Sequence, residues 1–431
     1  MRSSSWPRCA RCSAGRDAGR GESMSGATGG VRLVGVAADA ASGGDPTAPV
    51  QSALVAAGVP VDGRVLVDDD EPVLERTLGS DAALTVVVAG PGGSAGETVR
   101  RVLARLSGTR LVLNERMLAA LEASYRRQDR ALPRRAERQA LLPQGATPWP
   151  ADEGEPAWSV ETPRGAFAVL PRGAPSPPLT AQLIDFARGH VGARGVVTRT
   201  LRTAGVSLGD VEERLAEWLG REGDVAVSTV PADGEVWVRL RARGATVEAA
   251  TAALQAVESR VAAALGDDCY GHDGETLEQV VGRRLRARSL VVATAESCTG
   301  GLVGHRLTNV AGSSAWFERG VVVYSNRAKQ ELLGVSEAIL KTHGAVSAPC
   351  AEAMARGICA AAHTACGISI TGIAGPDGGT PQKPVGTVFI GVAVSGKVSA
   401  RHFRFSGDRA AVKWQSAQMA LDMLRRALGG P

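Results

Sequence analysis

Apolar residues recur along this chain with two alternating periods, one suited to strands and one to helices. Val31–Ala37 (VRLVGVA), Arg64–Val67 and Leu84–Ala89 (LTVVVA) have strand length. The last is an unbroken apolar run, the pattern of a strand buried on both faces. Val50–Ala57, Glu71–Leu78 and the stretch from Gly96 to Leu106 carry helical spacing. Gly90-Pro91-Gly92-Gly93 stands between LTVVVA and its helix, so strand, glycine-rich turn and helix follow in the order of a βαβ-type unit. A helix start of that kind can hold an anion. Strands alternating with helices predict a doubly wound, largely parallel sheet. Leu132–Pro150, rich in Pro and Arg, and Pro171–Pro178 read as loops, the second as a domain edge.

The pattern changes after Gly195. A strand (VVTRTLRTAG), a helix over Asp210–Leu219, strands at Val225–Val230 and Val236–Ala242, and a long helix over Thr246–Leu265 predict a small α+β module with one open sheet face. Asp267–Glu275 reads as a polar linker. Beyond it, a helix over Thr276–Arg288 with a cap-like Thr start precedes the strand Leu290–Ala295 and a second strand, Phe317–Tyr324. Helices at Arg327–Leu333, Glu337–His343 and Ala348–Ala362 lead to a strand at Gly367–Gly372. The glycine-rich loop Ile373–Pro384, strands Gly386–Val394 and Lys397–Phe405, and a helix from Asp408 to Leu428 complete the chain.

At 431 residues the chain calls for two or three domains. Its apolar share of 44% and charged share of 22% are those of a globular protein, and a net charge of +5 is too small and too dispersed to name a partner. Seven scattered Cys argue against a secreted disulfide framework. Cys9 and Cys12 form a lone CxxC, short of the four ligands that zinc needs. No run of ~18 apolar residues occurs, so no membrane partner is expected. The first 23 residues lack the apolar core of a secretory signal, Met24 reads as an alternative start, and the cytoplasm is the expected compartment.

Candidate chemistry gathers in the last third. Ser297 lies in Glu296-Ser297-Cys298-Thr299-Gly300-Gly301, where a strand meets a helix. Free amides and the helix dipole at such a junction can stabilise an oxyanion, and Gly300 and Gly301 allow a substrate to approach closely. A serine hydroxyl needs a base. His305, His343, His363 and His402 lie outside the strand ends and glycine-rich segments, whereas Lys329 follows a strand end and a Tyr-Ser-Asn turn. A desolvated lysine can lose its proton near neutral pH and serve as that base. Tyr324 can relay a proton or orient the lysine, Thr371 can position substrate at a strand end, and Arg409 suits a phosphate or carboxylate. Each has a simpler reading. Ser297 fits a helix N-cap, Lys329 a solvated surface residue, and Cys298 a packed side chain whose place at a helix start would lower its pKa. Their placement at the strand ends of one sheet favours a site, because α/β sites gather there.

The segment AESCTGGLVGHRLTNVAGSSAWFERGVVVYSNRAKQELLGV, with HGAVS, TGIAGPDGGTPQKPVGTVFIGVA and FSGDR, closely resembles the CinA carboxy-terminal domain over about Glu275–Leu428. That family includes nicotinamide-nucleotide amidohydrolases, which convert nicotinamide mononucleotide and water to nicotinate mononucleotide and ammonia. The resemblance implies Ser297 as nucleophile and Lys329 as general base, with Tyr324 and Thr371 assisting, Arg409 binding substrate and Ser314 as a helper. It implies neither metal nor cofactor.

The amino-terminal part resembles the molybdopterin-binding-like half of full-length CinA proteins, through Gln139–Thr147 (QALLPQGAT) and Val67–Glu71 (VDDDE). Two motifs depart from it. The family's GTELL segment reads VAADA here, and its paired Asp become Gly96 and Glu97. One carboxylate remains where a divalent cation would want two, so the metal-dependent ADP-ribose pyrophosphatase activity associated with that half is not expected. The central module resembles the family's KH-like piece but lacks a GxxG clamp, so RNA binding is not implied.

The expected fold class is α/β, with two α/β sheet domains joined by a small α+β KH-like module. Residues 1–29 are expected to be disordered or to precede the true start. Residues 30–178 form the degenerate molybdopterin-binding-like domain, 179–273 the KH-like module and 274–431 the amidohydrolase domain. The expected partner is a small nucleotide substrate rather than nucleic acid, and open sheet edges suit a homodimer. Two further readings stay open: a non-catalytic scaffold linked to competence or DNA damage, and a pyrophosphatase run by the amino-terminal domain.

Overall fold

A computed structural model of the protein describes residues 30–36, 45–90, 92–191, 195–221, 223–232 and 234–429. Cys9, Cys12, Met24, Pro91 and most of VAADA lie outside the described residues. The described chain divides into two compact units. One holds the first strand and Asp62–Arg172, and the other holds Thr47–Val61, Gly173–Arg188 and the chain from the strand at Gly195 onward. No described helix is long and apolar enough to cross a membrane.

The chain opens with β1 (Val31–Val36), α1 (Ala48–Ala56), β2 (Val61–Val67), α2 (Glu71–Leu78) and β3 (Leu84–Val88). It continues through α3 (Gly93–Leu106), β4 (Leu111–Leu113), α4 (Glu115–Arg126), β5 (Leu141–Pro143), β6 (Thr147–Trp149), β7 (Ala157–Thr162) and β8 (Gly165–Leu170). The first unit is built on a six-stranded sheet ordered β2-β1-β3-β8-β7-β6. β3, buried at every position, pairs in parallel with β1 and β8, which accounts for its unbroken apolar run. The sheet is mixed rather than largely parallel, because β8 and β7 form a tight hairpin and β6 adds antiparallel to it. The expected loop Leu132–Pro150 holds a 3₁₀ turn at Ala136–Ala140 and the strands β5 and β6.

Pro177 and Pro178, read as loop residues, open α5 (Pro177–Val191). The first turn of a helix needs no N–H from them, so proline is accepted there. Then follow β9 (Gly195–Ala204), α6 (Leu208–Arg214), β10 (Val225–Ala232), β11 (Glu235–Gly244), α7 (Val247–Leu265) and β12 (Cys269–His272). Their strands form an antiparallel sheet ordered β10-β11-β9-β12. β12 lies inside the segment expected to be a polar linker. Its acids are ion-pair partners rather than solvated spacers: Asp268 meets Arg214 and Arg426 at 2.6 Å each.

The last part comprises α8 (Leu277–Ala287), β13 (Val292–Glu296), α9 (Leu302–Thr308), β14 (Phe317–Val322), α10 (Asn326–Leu333) and α11 (Glu337–His343). After them come α12 (Ala348–Ala362), β15 (Cys366–Gly372), β16 (Thr387–Val394), β17 (Lys397–Arg404) and α13 (Arg409–Ala427). Thr276 and Gln279 close a reciprocal capping box at the start of α8, as the Thr start suggests. The sheet order is β14-β13-β15-β16-β17; β14, β13 and β15 run parallel and the other two are antiparallel. Alternate residues face opposite layers. Val292, Ile368, Ile370, Val388 and Ile390 join a core with α8, α9 and α13. Ala293, Ala295 and Val323 join a second core with Leu333 of α10 and Cys350, Met354 and Ile358 of α12. Three parallel strands therefore end side by side at one edge of a sandwiched sheet.

Candidate active site

Register brings that edge together. Glu296 pairs with Val322 on one side and Ile370 on the other, so Ser297, Val323 and Thr371 sit level at three adjacent strand ends. The Ser297 amide donates to the Ile370 carbonyl (2.9 Å) and the Val323 amide to the Glu296 carbonyl (2.8 Å), which pins the loop bases. Past β14, the Ser325 hydroxyl accepts from the Ala328 amide and starts α10. Lys329 and Leu333, one turn apart, are the buried face of that helix. The helical period thus turns Lys329 inward, to 1% exposure, rather than onto the surface.

The Lys329 ammonium position has three neighbours. Nζ lies 2.8 Å from the Val323 carbonyl, 3.3 Å from the Tyr324 carbonyl and 3.1 Å from Ser297 Oγ. Two are obligate acceptors and the third can donate or accept. A neutral amine satisfies all three, with two N–H bonds to the carbonyls and its lone pair toward the serine O–H. A charged ammonium also satisfies them, with the serine oxygen accepting. Desolvation lowers the Lys329 pKa from its usual 10.5, and Lys329 makes no carboxylate ion pair among the described residues to counter that shift.

Ser297 is not a helix cap. The helix starts five residues later, and the buried Glu296 carboxylate takes its first amides: Gly301 (2.9 Å), Val303 (3.2 Å) and Gly304 (2.9 Å). Gly300 and Gly301 have φ of +64° and +96°. They make this left-handed turn, which a residue with a side chain would strain. The amides of Cys298 and Thr299 bond to no other residue among the described ones. Burial pushes the Cys298 thiol up to about 11, the reverse of the lowering expected at a helix start.

The remaining candidates divide. Thr371, buried at the end of β15, donates its hydroxyl to the Ala345 carbonyl (2.8 Å), so toward the cavity its oxygen can only accept. Tyr324 holds Lys329 through its main chain. The residue is exposed, and its phenol pairs instead with Arg409 Nη2 (3.1 Å). Arg409 Nη1 donates to the Gly375 carbonyl (2.6 Å). Ser314 is exposed in the 3₁₀ turn before β14. That turn lies at the entry end of a strand parallel to β13, so Ser314 sits at the opposite sheet edge from Ser297 and is not part of the site.

A cavity of about 270 Å³ opens on Ser297, Lys329, Thr371 and Arg409, and no histidine lines it. Asn326 and Asp377 also line it. Sequence reading passed over both, although Asn326 lay in the Tyr-Ser-Asn turn and Asp377 in the glycine-rich loop. In the first unit, the one remaining family carboxylate, Glu97, is taken by Arg101 (3.3 Å) and Arg138 (3.2 Å).

The profile of the CinA C-terminal domain matches residues 274–428, and that of the damage-inducible protein CinA KH domain matches 198–271. A CinA-like protein of Syntrophotalea carbinolica is 39% identical over 84% of this chain and 89% of its own length. A CinA-like protein of Syntrophus aciditrophicus is 38% identical over 84% of this chain and 88% of its own. The solved competence damage-inducible protein A of Klebsiella pneumoniae is 37% identical, over 35% of this chain and 94% of that one, with a TM-score of 0.35.

Proposed function

This chain belongs to the CinA family, and from that premise we propose that its Ser297–Lys329 site is an amidohydrolase that converts nicotinamide mononucleotide and water to nicotinate mononucleotide and ammonia. The observation that carries the reading is a buried lysine amine 3.1 Å from a serine hydroxyl, held by two backbone carbonyls. A serine hydroxyl becomes a nucleophile only with a neighbouring base, and a lysine becomes a base only when its pKa is depressed. Both conditions meet at this contact.

Ser297 Oγ attacks the carboxamide carbon while its proton passes to Lys329 Nζ. The Cys298 amide, in the cavity wall and without another partner, is a donor left for the developing oxyanion. The carbon–nitrogen bond then breaks, and ammonia leaves with the proton from Lys329. Water, deprotonated by the same amine, attacks the resulting ester, frees the carboxylate and restores Ser297. Thr371 Oγ1, able only to accept, receives a carboxamide N–H and orients the leaving nitrogen. The product places the enzyme in pyridine-nucleotide salvage.

The pH profile tests the base. Only the neutral amine takes the serine proton, so kcat/KM for ammonia release rises with pH along one limb. Because Lys329 is depressed, the midpoint of that limb lies below 10.5. A profile flat from pH 5 to 10 in the wild type would contradict Lys329 as the base.

A further inference from the structure

A larger cavity of about 790 Å³ adjoins the Ser297 cavity, with Leu302, Pro376, Val385, Lys413 and Trp414 in its wall. The two linings share Ala374, Gly375 and Arg409, so a ligand anchored at Ser297 can extend from one into the other. Resting on the amidohydrolase reading, we propose that this second cavity receives the phosphorylated sugar of the substrate and that Lys413, rather than Arg409, is the cation that reads its phosphate.

Arg409 is already directed elsewhere, toward the Gly375 carbonyl and the Tyr324 phenol. Lys413 follows it by one turn on α13, on the same helix face. It is half-buried and has neither an ion pair nor a hydrogen bond among the described residues. Its Nζ reaches the turn after Ser297, since a Cβ built on Gly300 would lie 3.7 Å from it. That sets a lysine cation in the wall of the second cavity, beside the turn that follows the reacting serine. The carboxylate in the same wall, Asp408, is engaged at the start of α13, where it accepts from the Ala411 amide (2.8 Å). An anion entering here meets the Lys413 cation, with the Asp408 carboxylate turned to the helix start by that bond. Apart from Asp408, Arg409 and Lys413 the wall is lined by apolar side chains and glycine, as ligand pockets commonly are around a few polar anchors. Arg306 stacks 4.6 Å over Trp414 and fixes the plane of its indole.

The test pairs binding with kinetics. Wild type, Lys413→Met and Lys413→Arg are titrated calorimetrically with ribose 5-phosphate and with ribose. Ammonia release is then compared on nicotinamide mononucleotide and on the unphosphorylated riboside. Losing one charge-assisted phosphate contact lowers the preference for the phosphorylated substrate by about 10- to 100-fold. Lys413→Met is expected to show that loss and to lose affinity for ribose 5-phosphate, while Lys413→Arg keeps most of both. A Lys413→Met protein of wild-type melting temperature that keeps both the preference and the affinity overturns the proposal. If the wild type binds ribose 5-phosphate through Lys413 yet releases no ammonia, the amidohydrolase reading fails and the phosphate subsite stands.

Discussion

At the scale of single residues, the decisive feature is what surrounds the Lys329 amine. The sequence offers Lys329 as the base for Ser297 through their places at strand ends, while the contact itself spans 32 positions. The touching depends on register, with β14 and β13 ending level and α10 turning its Lys329–Leu333 stripe inward. Ser297 was legible as a strand-end nucleophile in a glycine-rich turn; Glu296, which frees it from capping duty, was not. Tyr324 serves Lys329 through its carbonyl, so Tyr324→Phe keeps kcat. It removes only the phenol's contact with Arg409, worth about 1 kcal/mol, and raises KM by no more than about fivefold in steady-state assays. The Cys298 thiol, held up to about 11 by burial, stays protonated at neutral pH. Cys298→Ala is therefore expected to keep ammonia release within about threefold of wild type, a change of under about 1 kcal/mol in the barrier. A loss comparable to that of Ser297→Ala would move the nucleophile to the thiol.

At the scale of elements, α9 stands on one carboxylate. Glu296 is buried and accepts from three amides, and charge-assisted bonds of this kind are the strong ones. Glu296→Gln turns an amide N–H toward one of those donors and is expected to lower unfolding stability by about 2 kcal/mol or more, read from urea denaturation midpoints. An unchanged midpoint would mean that the α9 start is held by other means. Most helices and strands of the last domain were legible from apolar period alone, because each buries one face. β12 was not, since its pairing with β9 and its flanking acids answer to arginines far away in sequence. The β7–β8 hairpin escaped for a related reason: its partners turned a sheet expected to be parallel into a mixed one.

At the scale of the whole molecule, α13 carries Arg409 at its start and couples to the antiparallel sheet near its end. Asp422, almost fully buried, pairs with Arg425 (2.6 Å) and Arg426 (2.7 Å), and Arg426 reaches the Ala204 carbonyl (2.9 Å) and Asp268 (2.6 Å). Asp422→Asn leaves two arginines short of a buried counter-charge and is expected to destabilise the second unit by about 3–5 kcal/mol, measured by calorimetric melting of the full chain. In the first unit, Glu97 is already bound by two arginines, so added Mg²⁺ or Mn²⁺ is expected to release no AMP from ADP-ribose. The central claim remains the serine–lysine amidohydrolase, and ammonia release from nicotinamide mononucleotide by wild type and Ser297→Ala, assayed side by side, tests it most directly. The account predicts steady release by the wild type and a fall of ~10³-fold or more in the variant; equal rates, or no release by the wild type, would contradict it.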